Sequence, residues 1–399
     1  MVAPDIIPPP PGIYVPVPTF FKPASTSNGT SANAYSSATT PPPDLETQAA
    51  HSVYLAERGI RGLALLGSTG EAVHLTNEER KSILKACSEG LTKAGFPDYP
   101  IIAGTASNSI DEVVLQLEDA KEAGAQWGLV LAPGYFAGAT RPNGVIAWYT
   151  AVADRSPIPI MIYHYPGVSN NVKLPPSVYH TLAPHPNIVG CKLSHGDASV
   201  HAQIALHPYV RANPLSFSTF TGLGQHLLPV MAVGCVGAID GSAGFFPRTV
   251  VRLWTLAAKA EGLPSCFKTH EVVRRGSIGL WERGMSGISK DERKELRDLQ
   301  YAVSSMEELV VTHGTVGIKE AISRLRKFGD VEGTRLPLMG GLPGGDVEWA
   351  KWAPVIDAVE EIETRLENNP GEKGKPALFS PTFKSDDEKA ENGAPPAAK

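Results

Sequence analysis

The sequence predicts an α/β protein, a (β/α)8 TIM barrel with a helical C-terminal extension. Short, continuous apolar segments alternate with amphipathic helical segments from residue 12 to about residue 240, and eight of them read as strands. Strands of a parallel sheet that is covered by helices are buried on both faces, and they read in this way. A doubly wound open sheet is the alternative, but no G-x-G-x-x-G turn follows the first strand.

The predicted strands are separated by helices at regular intervals. The strands are expected at 12–21, 60–66, 99–105, 127–133, 158–166, 187–193, 216–222 and 234–240. Asp44 is expected to cap the first helix, and Thr76-x-x-Glu79 and Ser109-x-x-Glu112 have the pattern of capping boxes. Further helical stretches are expected near 143–154 and 175–183.

The composition of the chain changes along its length and predicts its organisation. Residues 1–245 are assigned to the barrel and residues 246–367 to the helical extension, which is a candidate source of subunit contacts. Residues 24–43 are rich in Ser, Thr, Ala and Pro, and we expect a flexible insertion there. Residues 368–399 are polar and proline-rich, and they are expected to form a disordered tail.

Charge and cysteine usage exclude several classes of function. The net charge of the 399 residues is -5, which argues against nucleic acid or an anionic membrane as a partner. Four cysteines lie far apart, without metal-ligand spacing, so they are expected to be reduced thiols and no metal is expected. Without a signal pattern or an apolar run of membrane-spanning length, the chain is predicted to be cytoplasmic.

Lys192 stands at the end of an apolar strand segment, "IVGCKL". Lysine is rarely buried without a partner, so the common interpretation is a buried stem with a solvated ammonium group. A lysine enclosed by apolar walls has a lowered pKa, however, and its neutral amine can form a Schiff base with a ketone. The position at a strand's carboxyl end favours this second interpretation, because barrel active sites lie at that end.

Other chemically useful residues follow neighbouring strands. The turn Gly67–Glu71, "GSTGE", offers successive N–H groups and two hydroxyls, which suit a small anion such as a carboxylate. Tyr163 ends the fifth strand and Tyr135 follows the fourth. Each alone is more often an ordinary turn or rim residue, but a phenol beside the lysine can shuttle protons. Together these residues indicate a site for a 2-oxo acid.

At these residues the chain resembles a known family, the dihydrodipicolinate synthase and N-acetylneuraminate lyase superfamily of class I pyruvate aldolases. Three stretches carry the resemblance, which covers about residues 11–365. They are "GSTGEAVHLTNEER", "SPIPIMIYHYPGVSNN" and "HPNIVGCKLSHGD". The "YHYPGV" and "GEAVHLT" stretches are most similar to fungal aldolases of 2-keto-3-deoxy sugar acids and to 4-hydroxy-2-oxoglutarate aldolases.

The resemblance implies a role for individual residues. Lys192 would form the Schiff base and Tyr163 would act as general acid and base. Ser68, with Thr69 and Gly67, would bind the pyruvate carboxylate, and Ser68 would also take part in the proton relay. Tyr135 would complete that relay across a subunit interface, as in tetrameric members. The resemblance also implies substrate contacts by Ser194 and Ile239, no external cofactor, and a homotetramer.

Departures from the family pattern narrow the expected reaction. Enzymes that act on aspartate semialdehyde carry an arginine where this chain has Val168, so a clamp for a second carboxylate is missing. Leu193 and His195 depart from the Asp-Ser-Gly run of 4-hydroxy-2-oxoglutarate aldolases. His164 and His195 are either substrate contacts or, as we favour, loop histidines bonded to the backbone.

The resulting prediction is a carbon–carbon lyase. It would cleave a 2-keto-3-deoxy or 4-hydroxy-2-oxo acid to pyruvate and an aldehyde. A dihydrodipicolinate synthase-like condensation and a hydratase-aldolase reaction stay open as alternatives within the enzymes. A non-catalytic relative that binds a 2-oxo acid stays open outside them. The aldehyde partner and the role of the tail do not follow from the sequence.

Overall fold

Eight parallel strands close into a barrel in chain order. The computed structural model of the protein describes residues 7–22, 40–263 and 287–368. The last strand pairs with the first, which completes the closure. The strands are β1 (Gly12–Pro16), β2 (Gly62–Leu65), β3 (Ile101–Thr105), β4 (Trp127–Leu131), β5 (Ile160–His164), β6 (Ile188–Leu193), β7 (Ser218–Thr221) and β8 (Gly237–Ile239). The predicted (β/α)8 barrel is confirmed.

Helices connect the strands and cover the outside of the barrel. They are α1 (Leu45–Glu57), α2 (Asn77–Lys93), α3 (Ile110–Glu122), α4 (Pro142–Arg155), α5 (Pro176–Leu182), α6 (Ala198–Ala205), α7 (Pro208–Ala212), α8 (Leu227–Met231) and α9 (Pro247–Ala260). The predicted first residues of α1 and α2 are correct. The Asp44 side chain accepts a hydrogen bond from Thr47 N, and the capping box between Thr76 and Glu79 is complete. The side chain of Ser109 accepts a hydrogen bond from Glu112 N, but the Glu112 side chain accepts from Asn77 and Gln116 and not from Ser109 N, so only half of the predicted capping box forms.

A helical region follows the barrel. It contains α10 (Lys290–Ala321), a π-helical turn (Ile322–Arg326) and α11 (Asp346–Asn368). The sequence predicts separate helices before and after Gly314, and the structure runs them together in α10 with a kink at that residue. Gly314 has φ 56° and ψ -139°, a conformation that side chains disfavour.

The inside of the barrel is filled with side chains rather than open. A cluster of buried residues occupies it: Tyr14, Ala64, Ile102, Trp127, Leu129, Met161, Tyr163, Val189, Phe220 and Ile239. A larger apolar cluster lies between the strands and the helices. Because the interior is packed, a ligand has room only at the end of the barrel, where the loops that follow the strands converge.

The structure corrects the boundary of the predicted insertion. The flexible segment that the sequence predicts includes residues 40–43. In the structure, Pro43 forms a β-bridge with Phe21, and the Pro41 carbonyl accepts hydrogen bonds from the guanidinium of Arg335. The rest of the predicted insertion, 24–39, lies outside the described residues, as does the predicted tail from residue 369. The proposed division into barrel, extension and tail stays a prediction.

The first strand is shorter than the predicted 12–21. It ends at Pro16, and Pro18 follows two residues later. Proline has no N–H to donate to the neighbouring strand, which explains why the pairing stops there. In the part of the chain that the structure describes, no helix combines the length and the apolar character that crossing a membrane requires.

Candidate active site

Lys192 lies in β6 with its side chain enclosed by the barrel. The residue is only 4% exposed, and β6 places it directly beside Tyr163 of β5 in the strand register. Its Nζ lies 4.6 Å from the centre of the Tyr163 ring. Within the described residues, Nζ has no ion-pair partner within 4.0 Å. Lys192 is therefore buried, as the less common interpretation of the sequence requires.

The environment of Lys192 favours the neutral amine. Burial lowers the pKa of Lys192 to about 7, and the negative charge of Asp240 works in the opposite direction. An ordinary lysine has a pKa near 10.4 and is almost entirely protonated at neutral pH. A large fraction of Lys192 is therefore unprotonated near pH 7, and an unprotonated amine can attack a carbonyl carbon.

Tyr163 connects the lysine to the turn after β2. Its hydroxyl lies 3.0 Å from Ser68 Oγ, and hydrogen bonding by Ser68 and by the nearby Ser194 side chain favours the ionised form of the phenol. Burial raises the pKa of Tyr163 to about 12, against the opposing effect of these two hydrogen bonds. The phenol therefore holds its proton at neutral pH and can donate it to a group bound beside Lys192.

The turn Gly67–Glu71 presents unused hydrogen-bond donors. The N–H groups of Glu71 and Ala72 bond back to carbonyls of Ser68 and Gly67, at 3.1 and 3.4 Å. Among the described residues, the N–H groups of Ser68, Thr69 and Gly70 donate to no backbone carbonyl. Together with the hydroxyls of Ser68 and Thr69, these donors suit an anion. Apart from Gly67 and its two chain neighbours, no described residue has an atom within 4 Å of the position that a Cβ on Gly67 would take.

Two further predicted residues border the same space. Ser194 follows Lys192 by two residues, and its N–H donates to the His164 carbonyl at 2.9 Å. Ile239 ends β8 and packs in the same interior cluster as Tyr163. A side chain at Gly222 would collide with Ser194 Oγ and Lys192 Cε, so glycine at this position keeps the space above the lysine open.

Tyr135 stands apart from the other predicted site residues. Its side chain is 74% exposed, and its ring packs edge-on against Phe136 at 4.9 Å between centroids. In the described part of this single chain, the Tyr135 hydroxyl forms no hydrogen bond with Ser68 or Tyr163. The chain thus brings together Ser68, Tyr163 and Lys192 but not Tyr135, whose role across a subunit interface stays a prediction.

The two histidines near the barrel end differ in their bonding. Both ring nitrogens of His164 are used: Nε2 lies 3.0 Å from the Val172 carbonyl and Nδ1 lies 2.9 Å from the Tyr179 hydroxyl. His195 Nδ1 accepts from Asp197 N, and burial lowers the pKa of His195 to about 4. His164 ends β5 and is not the loop residue that the sequence predicts, but its ring is bonded to a backbone carbonyl, as the favoured interpretation requires.

Sequence reasoning missed a pair of buried carboxyl groups next to the site. Asp240 directly follows Ile239, and its side chain accepts from Gly224 N at 2.9 Å and from Ser242 Oγ at 2.7 Å. Glu307 of α10 is hydrogen-bonded to Asp240, and burial together with the Asp240 charge raises the pKa of Glu307 well above its ordinary value. The signal was an acidic residue ending the apolar run "GCVGAID".

The described residues contain no group of three or more His, Cys, Asp or Glu side chains that could hold a metal ion. Three of the four cysteines, Cys87, Cys191 and Cys235, are buried and free, and Cys266 lies outside the described residues.

Comparison with protein families matches residues 43–265 to the dihydrodipicolinate synthetase family. The matched stretch is more than half of the chain and includes Ser68, Tyr163 and Lys192. The chain belongs to this family. The resemblance that the three sequence motifs carry is thereby confirmed.

Curated family members support the comparison over most of the chain. A probable mitochondrial 4-hydroxy-2-oxoglutarate aldolase of Emericella nidulans is 31% identical over 80% of this chain and 86% of its own length. The L-threo-3-deoxy-hexylosonate aldolase of Hypocrea jecorina is 31% identical over 78% of this chain and 96% of its own length.

Solved structures of the family share the fold. A dihydrodipicolinate synthase family protein from Coccidioides immitis has a TM-score of 0.65 and 27% identity, with 91% of this chain and 99% of that chain covered. A family protein from E. coli K12, solved in complex with pyruvate, has a TM-score of 0.65 at 23% identity, over 88% of this chain and 98% of its own.

Proposed function

We propose that the protein is a Schiff-base aldolase that cleaves a 2-keto-3-deoxy or 4-hydroxy-2-oxo acid to pyruvate and an aldehyde. The observation that carries the proposal is the buried Lys192, whose pKa of about 7 leaves a neutral amine beside the Tyr163 phenol. The E. nidulans and H. jecorina relatives are both named as aldolases, which supports a carbon–carbon lyase.

The proposed reaction begins with imine formation. Lys192 Nζ attacks the C2 ketone of the substrate, whose carboxylate is held by the N–H groups and hydroxyls of Ser68 and Thr69. Tyr163 protonates the hydroxyl of the carbinolamine, water leaves, and a protonated iminium remains. Tyr163 is left as the phenolate, which the Ser68 hydroxyl, 3.0 Å away, stabilises by a hydrogen bond, and this phenolate is the base for the next step.

The iminium then accepts the electrons of the bond that breaks. The C4 hydroxyl loses its proton through Tyr163 and either the substrate carboxylate or the Ser68–Tyr135 relay. The C3–C4 bond breaks, its electron pair forms the enamine of pyruvate, and the aldehyde leaves. Protonation at C3 and hydrolysis of the imine release pyruvate and restore the lysine. The iminium is the electron sink, so this sequence of steps uses no external cofactor and no metal.

The remaining assignments belong to the same proposal. Ser194 and Ile239 would contact the bound substrate, and Tyr135 of a second copy would complete the relay in a homotetramer. Pyruvate and the aldehyde are the only partners proposed. The cytoplasmic location stays a prediction, and the E. nidulans relative is named as a mitochondrial protein.

A substrate screen tests the proposal and its alternatives. Purified protein is incubated with 2-keto-3-deoxy sugar acids and with 4-hydroxy-2-oxoglutarate, and released pyruvate is measured. Lys192→Ala is the control, and its rate is expected to fall by at least about 1,000-fold. Pyruvate release from none of these acids, but consumption of pyruvate with an aldehyde, would favour the condensation or hydratase-aldolase alternative. Near-normal cleavage by Lys192→Ala would refute the mechanism.

A further inference from the structure

The kink in α10 directs the helix onto the turn that carries Ser68 and Thr69. Gly314 interrupts the helical conformation, and the segment that follows it begins at Thr315. Thr315 Oγ1 donates to the Thr69 carbonyl at 2.6 Å. One helical turn further, the Lys319 ammonium pairs with the Glu71 carboxylate, and both side chains are buried. Two residues of the C-terminal region therefore hold two residues of one active-site turn.

Other segments bind the remaining acceptors of the turn. Thr19 Oγ1, in the segment after β1, donates to the Gly70 carbonyl at 2.7 Å. Arg335 N donates to the second Glu71 oxygen at 3.2 Å, and the Arg335 side chain also contacts Glu79 and the Pro41 carbonyl. The carbonyls of Thr69 and Gly70 and the Glu71 carboxylate are thus all bound by groups outside the turn.

This arrangement has a consequence for the N–H groups of the turn. A peptide unit whose carbonyl is fixed has its N–H fixed as well, because the unit is planar. The Thr69 carbonyl shares a peptide plane with Gly70 N–H, and Gly70 N–H is one of the donors unused by any backbone carbonyl in the described residues. Restraint of the Thr69 carbonyl by Thr315 therefore orients the Gly70 N–H, and the Lys319–Glu71 pair fixes the end of the same turn.

We propose that Thr315 and Lys319 are positioning residues for binding of the substrate carboxylate. They act through the turn Gly67–Glu71 and do not touch the substrate. The helical C-terminal region thereby contributes to the preference of the site for 2-oxo acids over neutral ketones. The proposal rests on the Schiff-base function above. It predicts that loss of the Thr315 hydrogen bond slows imine formation with a ketone that carries a carboxylate, while Lys192 reacts at an unchanged rate with a ketone that carries none.

The test compares pyruvate with methyl pyruvate, which has the same ketone but no carboxylate. Imine formation is followed as the rate of lysine modification in the presence of cyanoborohydride. Thr315→Val removes the hydroxyl and keeps the shape, and Thr315→Ser keeps the hydroxyl. Ser305→Ala removes a hydroxyl elsewhere on α10, where Ser305 Oγ donates to the carbonyl of Tyr301 in its own helix.

Thr315→Val is expected to slow modification by pyruvate about three- to tenfold, the effect of one hydrogen bond, and to leave modification by methyl pyruvate unchanged. Thr315→Ser and Ser305→Ala are expected to behave like the unmodified protein with both ketones. Lys319→Met should reduce the preference for pyruvate further. Lys319→Met leaves the buried Glu71 carboxylate without its cation and can unfold the protein. The Thr315 variants are therefore the decisive test of the positioning role.

The outcomes separate this inference from the proposed function. Equal slowing with both ketones in Thr315→Val, or no slowing with either, would overturn the positioning role while imine formation in the unmodified protein would still support the aldolase. Absence of imine formation by the unmodified protein with either ketone would overturn both.

Discussion

At the scale of single residues, the ionisation of Lys192 determines when the protein can react. Burial lowers its pKa to about 7, and Asp240 raises it by its negative charge. The neutral amine is the reactive form, so the initial rate of imine formation with pyruvate is expected to rise with pH through about 7 and then level off.

Asp240→Asn tests what sets the pH at which the rate of imine formation is half of its maximum, the midpoint of the pH profile. Removing the negative charge removes an interaction that favours the ammonium form, so the pKa of Lys192 falls and the midpoint moves to lower pH. The measurement is the pH profile of imine formation, compared with that of Asp291→Asn, which removes an exposed carboxylate in the first turn of α10. A midpoint that stays in place or moves upward contradicts the assignment.

Tyr163 is the second residue whose role can be isolated. Tyr163→Phe removes the proton donor but retains the ring against Lys192, so turnover is expected to fall by about 100- to 10,000-fold in a folded protein. Tyr14→Phe is the matched control: it removes another buried phenol, whose hydroxyl donates at 2.9 Å to the carbonyl of Pro10, ahead of β1 and away from the strand ends where the site lies. Equal losses in the two variants would assign Tyr163 a structural role only.

At the scale of elements, the apolar runs predicted the strands well and their ends poorly. Strand identity depends on burial, which the run of apolar residues reports directly. The ends depend on pairing with neighbours, and so β1 ends at Pro16 although apolar residues continue to Phe21. Lys192 and Tyr163 could be proposed from sequence because each lies at the end of a strand within a family motif. Thr315 and the Glu307 partner of Asp240 could not, since no local pattern indicates which residue far along the chain each one contacts.

The kink of α10 gives a prediction about an element. Gly314→Ala places a side chain in a backbone conformation that only glycine adopts easily. The Cβ itself would meet no steric obstacle among the described residues, so the effect isolates the backbone conformation. The free energy of unfolding in urea is expected to fall by about 1–3 kcal/mol. Gly144→Ala in α4, also facing open space, is expected to be neutral or stabilising by up to about 1 kcal/mol. Equal effects would show that the kink carries no strain.

For the assembly of the protein, the exposed aromatic pair Tyr135 and Phe136 is the surface at which the proposed shared site can be tested. Both residues are more than two-thirds exposed, at 74% and 71%. If Tyr135 completes the relay of a neighbouring copy, Tyr135→Phe and Lys192→Ala are each inactive, but a refolded mixture of the two contains sites with an intact lysine and an intact Tyr135.

The mixture is therefore expected to regain a fraction of the unmodified rate, and the molar mass in solution is expected to exceed that of one chain. Activity of the mixture no greater than the sum of the separate variants, or a monomer with full activity, would contradict a shared site. A mixture of Lys192→Ala with Tyr163→Phe is the control, because both of those residues lie within one chain's site and its expected gain is nil.

The most direct test of the account is to incubate the protein with pyruvate and sodium borohydride, measure its intact mass and map the modified peptide. The Schiff-base mechanism predicts one reduced pyruvate per chain, on Lys192, and none in Lys192→Ala. A folded protein that gains no mass, or gains it equally in Lys192→Ala, would contradict the Schiff base and leave Lys192 as a buried structural lysine.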